Sequence, residues 1–444
     1  MRRSSYSIEP GLRDLASALK SERMLLHNLV VGGGTIVAGL LGVAFQSIAS
    51  HQLRPADYGS VFAVVTLITF TTLPASAFTL LMARETSRAR ASGHYAASVA
   101  LLRRGNRALM LCGLAVACLI GLSSPELGHF LDVPVELLLA ACVGIPFGFA
   151  LPLLLGEFQG EQRFTAFSLL ISGQAGLKLA AAIGLGLVFG TLGVIAGISL
   201  ATIIVYLIAL RSLRRKLSIK ANLSWWQPAA RYLLVVIPST LSLAVLLTAD
   251  VLLVKHFFAT REAGEYAVIA AVGRSIFWGA TGVATVLFPK VVHRLAKGQS
   301  GLQIAIASLS IVATAGFAAL GVLSFGSRWL LTAFAGPAYT GLAGLLPWYA
   351  VGMILLGGTA VLIALHQTRG EPGFLAVLIP LSLLEPALLL ILHQSLVQVV
   401  QVVDVSMALL VAGLGTLYVV QLRATTTTAL VDPTVASPKM AQVG

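Results

Sequence analysis

Charge is scarce in this chain. Asp, Glu, Lys and Arg make up 11% of its 444 residues, 57% are hydrophobic, and the mean hydropathy is +0.91. A soluble fold of this size would lack the polar surface to cover itself. Cysteine is rarer still. Cys112, Cys118 and Cys142 show no CxxC or Cys/His spacing, which leaves them as small buried apolar side chains with no metal or redox work. No HExxH, Walker P-loop, GxSxG or DxD-like acidic pair occurs in a loop, and no loop is long enough to form a catalytic domain. These absences argue against an enzyme and against a bound cofactor or metal. The glycines at 32–34 lie inside an apolar run with no following Lys-Ser/Thr, so they read as close helix packing, not as a phosphate loop.

Long apolar runs are what the chain has in abundance. About twelve occur, near 24–51, 60–83, 108–123, 137–156, 164–189, 192–210, 232–258, 266–289, 302–325, 338–365, 374–393 and 402–422. Roughly 20 residues at about 1.5 Å rise cross a hydrocarbon core of about 30 Å. The expected class is therefore an all-α polytopic membrane protein, in the cell membrane. With the N-terminus in the cytoplasm, roughly 24 of the 30 Lys and Arg fall inside. The opposite loops keep Arg54, Arg261 and Arg328, and an even number of spans returns the C-terminus inside. The net charge of +13 then reports topology and contact with anionic membrane lipids, with no nucleic acid needed. The first run follows about 23 mixed residues and is too long for a signal-peptide core; Leu12, Leu15 and Leu19 predict a short helix on the membrane surface before it.

Two stretches read as one unit used twice. LRPADYGSVFAVV from Leu53 and FATREAGEYAVIA from Phe258 align without gaps: Asp57 falls on Glu262, Gly59 on Gly264, Val64 on Ile269, Ala91 on Ala296 and Gly93 on Gly298. The expected domains are a segment 1–23, an N-lobe 24–210, a basic linker 211–231 with Trp225 and Trp226, a C-lobe 232–423 and a disordered tail 424–444. Six spans per lobe give both lobes the same orientation, related by a pseudo-twofold axis along the membrane normal.

Polar groups inside spans are the candidate functional residues, because each costs several kcal/mol unless it pairs or faces water. These are Lys178, Asp250, Lys255, Arg274 and Glu385, with Gln46 and Gln174 as weaker members. Asp250 and Arg274 flank one turn at matching depth, roughly 12 Å below it. They read either as an ion pair or as a pair from which an anionic ligand draws Arg274. Asn28, His366 and Gln367 fit helix-to-helix hydrogen bonds. Pro74, Pro146, Pro238, Pro347, Pro380 and Pro386 predict kinks. Phe277, Trp278 and Trp348 are available to stack on sugars or to pack.

Three motifs carry a resemblance. LRPADYGSVF at 53–62, FQGEQRF at 158–164, and TADVLLVKHFFATREAGEYAVIAAVGR at 248–274 closed by VLFPKV at 286–291 resemble the polysaccharide and oligosaccharide-lipid flippases of the MOP exporter superfamily. The resemblance implies two six-helix lobes about a central cavity and alternating access. The cargo it implies is a polyprenyl-(pyro)phosphate-linked oligosaccharide, moved from the inner to the outer leaflet for cell-surface polysaccharide export. Implied partners are a glycan polymerase and glycosyltransferases. By the same resemblance Lys178 and Arg274 are the cationic cavity groups, while Asp57, Gly59, Glu262, Gly264, Gln159 and Gly160 belong to turns or gates. The alternatives are a cation-coupled drug antiporter of the same superfamily, a membrane glycosyltransferase or polymerase, and a scaffold of a glycan-synthesis complex. Two membrane acids, Asp250 and Glu385, against three bases favour an anionic cargo over the antiporter.

Overall fold

The computed structural model describes residues 9–93, 95–218, 226–296, 301–369 and 372–431, with side chains for 30–93, 95–218, 232–279, 305–367 and 372–422. Apolar runs without water to satisfy their backbone must become helices, and fourteen are described. They are α1 (Glu9–Gln52), α2 (Pro55–Thr72), α3 (Ala77–Ser92), α4 (Tyr95–Leu122), α5 (Ser124–Leu131), α6 (Val135–Gly160), α7 (Phe164–Leu217), α8 (Trp226–Leu246), α9 (Ala249–Phe257), α10 (Thr260–Ala296), α11 (Gly301–Ala335), α12 (Leu346–Arg369), α13 (Leu375–Ile391) and α14 (Leu396–Val431). Ten described stretches are long and apolar enough to cross a bilayer, among them the double-length α7. Counting α7 twice and adding the more charged α10 gives the expected twelve crossings. α7 breaks at Gly190, whose φ of 60° only glycine adopts at little cost.

Helices α1, α3, α4, α6 and α7 pack on one another, as do α8 and α10 to α14. These are the two lobes. They meet where α2 crosses α10, and the two glycines of the repeat face each other there. A methyl built on Gly59 would lie 3.0 Å from the Cα of Gly264, and one built on Gly264 would fall on the Pro55 carbonyl. Small residues let membrane helices approach closely, and here the same small residue is supplied twice, once by each lobe. Asp57 and Glu262, expected as turn residues, stand exposed in the first turns of α2 and α10, where a negative charge suits the helix dipole.

Several expectations need correction. α1 runs unbroken from Glu9, so the expected short helix is continuous with the one that carries the first span; the side chains of Leu12, Leu15, Leu19 and Asn28 lie outside the described residues. The linker is helical at both ends, with α7 continuing to Leu217 and α8 starting at Trp226; Trp225 and the Trp226 side chain are not among the described residues. α14 continues to Val431, into the tail expected to be disordered, because no helix breaker precedes Pro433. The loop at 123–136 contains the helix α5. Pro74 does break a span, in a 3-10 turn between α2 and α3, but Pro347 lies in the first turn of α12, where proline fits without a kink. Cys112 and Cys118 are exposed, not buried as expected, and Cys142 is half-buried against the Ala117–Ile120–Ile145 cluster. Ala296, the repeat partner of Ala91, ends α10, while Gly298, the partner of Gly93, falls outside the described residues.

Candidate functional site

The span before the second repeat unit is discontinuous. α8 ends at Leu246 and α9 starts at Ala249, with no proline or glycine at the break. Asp250 thereby lands in the first turn of a nine-residue helix, where free backbone N–H groups favour a carboxylate. It is 1% exposed. Arg274 Nη2 donates to Asp250 Oδ1 at 2.7 Å, and the hydroxyls of Tyr266 and Tyr349 donate to Oδ2 at 3.0 and 2.8 Å. The ion pair expected from depth is present, and the two tyrosines are partners that spacing did not reveal. With three donors Asp250 is a fully compensated charge. Arg274 is less so: its Nε is buried without a hydrogen-bond partner, and its guanidinium lies 5.6 Å from the ring centre of Phe62 on α2.

Lys178 sits on α7, half-buried, with its ammonium 4.5 Å over the ring of Phe45 on α1. No carboxylate lies in ion-pairing range of it among the described residues. Both cations thus rest on aromatic faces of the same lobe, and Phe45 and Phe62 belong to one buried cluster. Gln46 accepts from the Tyr58 hydroxyl at 3.0 Å, and Tyr58 stacks on Phe62. Gln174 is half-buried on the helix that carries Lys178. Glu385 is fully enclosed, with neither oxygen hydrogen-bonded.

Other expected residues fall elsewhere. Gly160 packs against Ala83 and Thr86 of α3, inside one lobe, and Gln159 is half-buried beside it. Their segment caps α6, where Glu157 pairs with Lys216 and accepts from Thr86 at 2.5 Å. His366 bonds the Leu414 carbonyl at 3.1 Å and stacks on Phe374, a helix-to-helix contact. Phe277 is buried, whereas Trp278 and Trp348 are exposed. Asp404 on α14 escaped the sequence reading; its Oδ1 is buried without a partner. Among the described residues the mid-span acids of the C-lobe therefore include Asp404 beside Asp250 and Glu385.

Lys255, the third base, serves a different purpose. It is 2% exposed and reaches Asp132 of the other lobe at 3.4 Å, and Thr260 donates to the same Asp132 oxygen at 2.8 Å. The Thr260 hydrogen bond holds the Asp132 carboxyl below the usual carboxylate range, with Lys255 adding to it. His256 stacks on Phe130 at 3.9 Å and bonds its carbonyl, while Tyr339 donates to the Leu53 carbonyl at 2.8 Å. With the glycine crossing, these contacts close the Arg-poor end of the bundle between the lobes.

No family model matches the chain, and no curated protein matches it. Solved structures do. A multidrug-resistance MATE-family transporter of the MOP superfamily, inward-facing, has a TM-score of 0.69 at 15% identity over 88% of this chain and 99% of that one. The lipid II flippase MurJ, in an inward closed conformation, gives 0.66 at 16% identity over 88% and 87%. A MOP-superfamily transporter from Pyrococcus furiosus, in which reversed polarity of the binding pocket suggests a different function, gives 0.61 at 15% identity over 89% and 96%. The chain has the fold of the MOP-superfamily transporters.

Proposed function

We propose that the protein is a membrane transporter that flips a polyprenyl-(pyro)phosphate-linked oligosaccharide from the inner to the outer leaflet by alternating access. In this reading the Arg-poor end faces outward and both termini lie in the cytoplasm, as the distribution of Lys and Arg favours. Lys178 carries the proposal: a lysine within a span, without a carboxylate in range, is an anion site awaiting its anion. Arg274, with its open Nε edge, supplies the second cation from the opposite lobe. A phosphate held between them relieves the desolvation of both cations and draws the lobes together. Gln46 and Gln174 offer polar contacts to sugar hydroxyls, each of which costs a few kcal/mol to bury unpartnered.

A second reading, a cation-coupled drug antiporter, is favoured by the acids of the C-lobe: Asp250, Glu385 and Asp404 outnumber Arg274 there once Lys255 is engaged by Asp132. Proteoliposomes separate the two. Under the flippase reading the reconstituted protein flips a fluorescent polyprenyl-pyrophosphate glycan, and Lys178→Ala lowers that rate by about tenfold or more. Efflux of a cationic dye that survives Lys178→Ala, without glycan flipping in the wild type, would establish the antiporter instead.

A further inference from the structure

The C-lobe turns α9–α10, α11–α12 and α13–α14 surround an open cavity of about 460 Å³ at the Arg-poor end of the bundle. That volume lies within the range of small-molecule sites, about 300–1,000 Å³. Its floor is apolar, with Phe258, Leu342, Leu345 and Leu396, and its polar side chains are Glu262, Gln394 and Ser395. The first turn of α14 caps itself. The Gln394 backbone N–H donates to Gln398 Oε1 at 2.9 Å, and the Gln398 N–H donates to Ser395 Oγ at 3.3 Å. This leaves the Ser395 hydroxyl proton and the Gln394 side-chain amide open to a ligand. The Glu262 carboxylate is exposed and forms no ion pair among the described residues. A methyl built on Gly344, also in the lining, meets nothing within 4 Å, so the space beside these groups is free.

The charge pattern selects the ligand. No Lys or Arg lines the cavity, so it does not suit a phosphate. Glu265, against Gly341, is committed to Arg261 at 3.3 Å, which leaves Glu262 as the charged group of the lining. One water-exposed carboxylate holds a cation only weakly. A sugar ring fits instead. Its C–H face covers an apolar floor, while its hydroxyls bond to a carboxylate, an amide and a hydroxyl. We infer that this cavity is a saccharide site, which binds the uncharged sugar units of the glycan on the outer side, apart from Lys178 and Arg274. All its walls belong to one lobe, so it persists when the lobes part and is pre-formed for its ligand. Phe258 and Glu262 flank Thr260, which donates to Asp132 across the seal. A sugar held here thus sits beside the mouth through which the glycan leaves. The inference rests on the reading that the cargo carries an oligosaccharide and that this end faces outward.

The probe is the water-soluble oligosaccharide released by mild acid from the polyprenyl-pyrophosphate glycan of the flipping assay. It is added to the full chain in lipid nanodiscs, with the three native cysteines replaced by alanine and Val397→Cys in the cavity wall. Val397 is 51% exposed, so the introduced thiol is open to reagent. Bound saccharide should slow its reaction with a membrane-impermeant maleimide, in a saturable way. Glu262→Ala should raise the half-protecting concentration about tenfold, the loss of one hydrogen bond to a charged group, and Glu262→Asp should recover part of it. Saturation transfer from protein to sugar, read by NMR, should vanish once the thiol is capped with a bulky maleimide, a block introduced after folding. Four results would overturn the assignment: no protection by the saccharide, saturation transfer that survives the block, protection by lysine methyl ester in the saccharide's place, or transfer abolished by Lys178→Ala and not by the block. A protein that binds the saccharide here yet flips no glycan would lose the transport reading alone.

Discussion

Asp250 holds three donors while Glu385, buried on α13, holds none, and this imbalance sets what each residue contributes. Breaking a buried pair by deleting one partner strands the other, at about 3–5 kcal/mol. Arg274→Ala should therefore lower the stability of the purified protein by a few kcal/mol, softened by the remaining Tyr266 and Tyr349 hydroxyls. Asp250→Asn in the same chain should restore part of the loss, because it removes the stranded charge. Thermal unfolding in detergent reads both, and an equal loss in single and double variants would show that the pair is not what stabilises this site. The Asp250–Arg274 partnership was legible from depth alone, since both residues lie near one turn. Tyr266 and Tyr349 were not, because an apolar ring masks a hydroxyl in a hydrophobic run, and Tyr349 comes from a helix about 100 residues away. Asp404 was passed over because an acid near a span end resembles an interfacial residue, yet α14 starts eight residues earlier at Leu396.

Between helices, the decisive contact is the crossing of α2 with α10. The gapless repeat pointed to Gly59 and Gly264 as equivalent positions; that they touch was hidden, because a repeat states likeness and not contact. Neither was the break between α8 and α9 readable, since LSLAVLLTADVLLV carries no helix breaker. By contrast Gly190 parted α7 where the apolar pattern had already been split. Gly264→Ala should hold the crossing open, since the added methyl would fall on the Pro55 carbonyl. A cysteine at Val61, 2% exposed in the closed arrangement, should then react faster with a membrane-impermeant maleimide, and unchanged reactivity would show that the crossing is not the closing contact. Asp132→Asn should have a similar but weaker effect at neutral pH. The lowered carboxyl pKa means that the Asp132 charge supports the seal at and above ordinary carboxylate values, and that this support is lost only as pH falls through the lowered value.

At the scale of the whole molecule, two lobes of one fold differ in chemistry. The repeat register places Phe45 where the C-lobe has Asp250 and Thr69 where it has Arg274, so the Asp250–Arg274 pair of the C-lobe has no counterpart at the equivalent positions of the N-lobe. The architecture was legible because hydrophobic length and the distribution of Lys and Arg both follow from the bilayer; the cargo was not, because a cavity's polarity depends on which side chains meet. The central claim is that these lobes alternate, parting at the end that is sealed here. The most direct measurement is a disulfide across the seal, Asp132→Cys with Thr260→Cys, replacing side chains whose oxygens lie 2.8 Å apart. In proteoliposomes containing the protein and fluorescent polyprenyl-pyrophosphate glycan, oxidation should stop flipping and reduction should restore it. Full transport by the cross-linked protein would contradict the account.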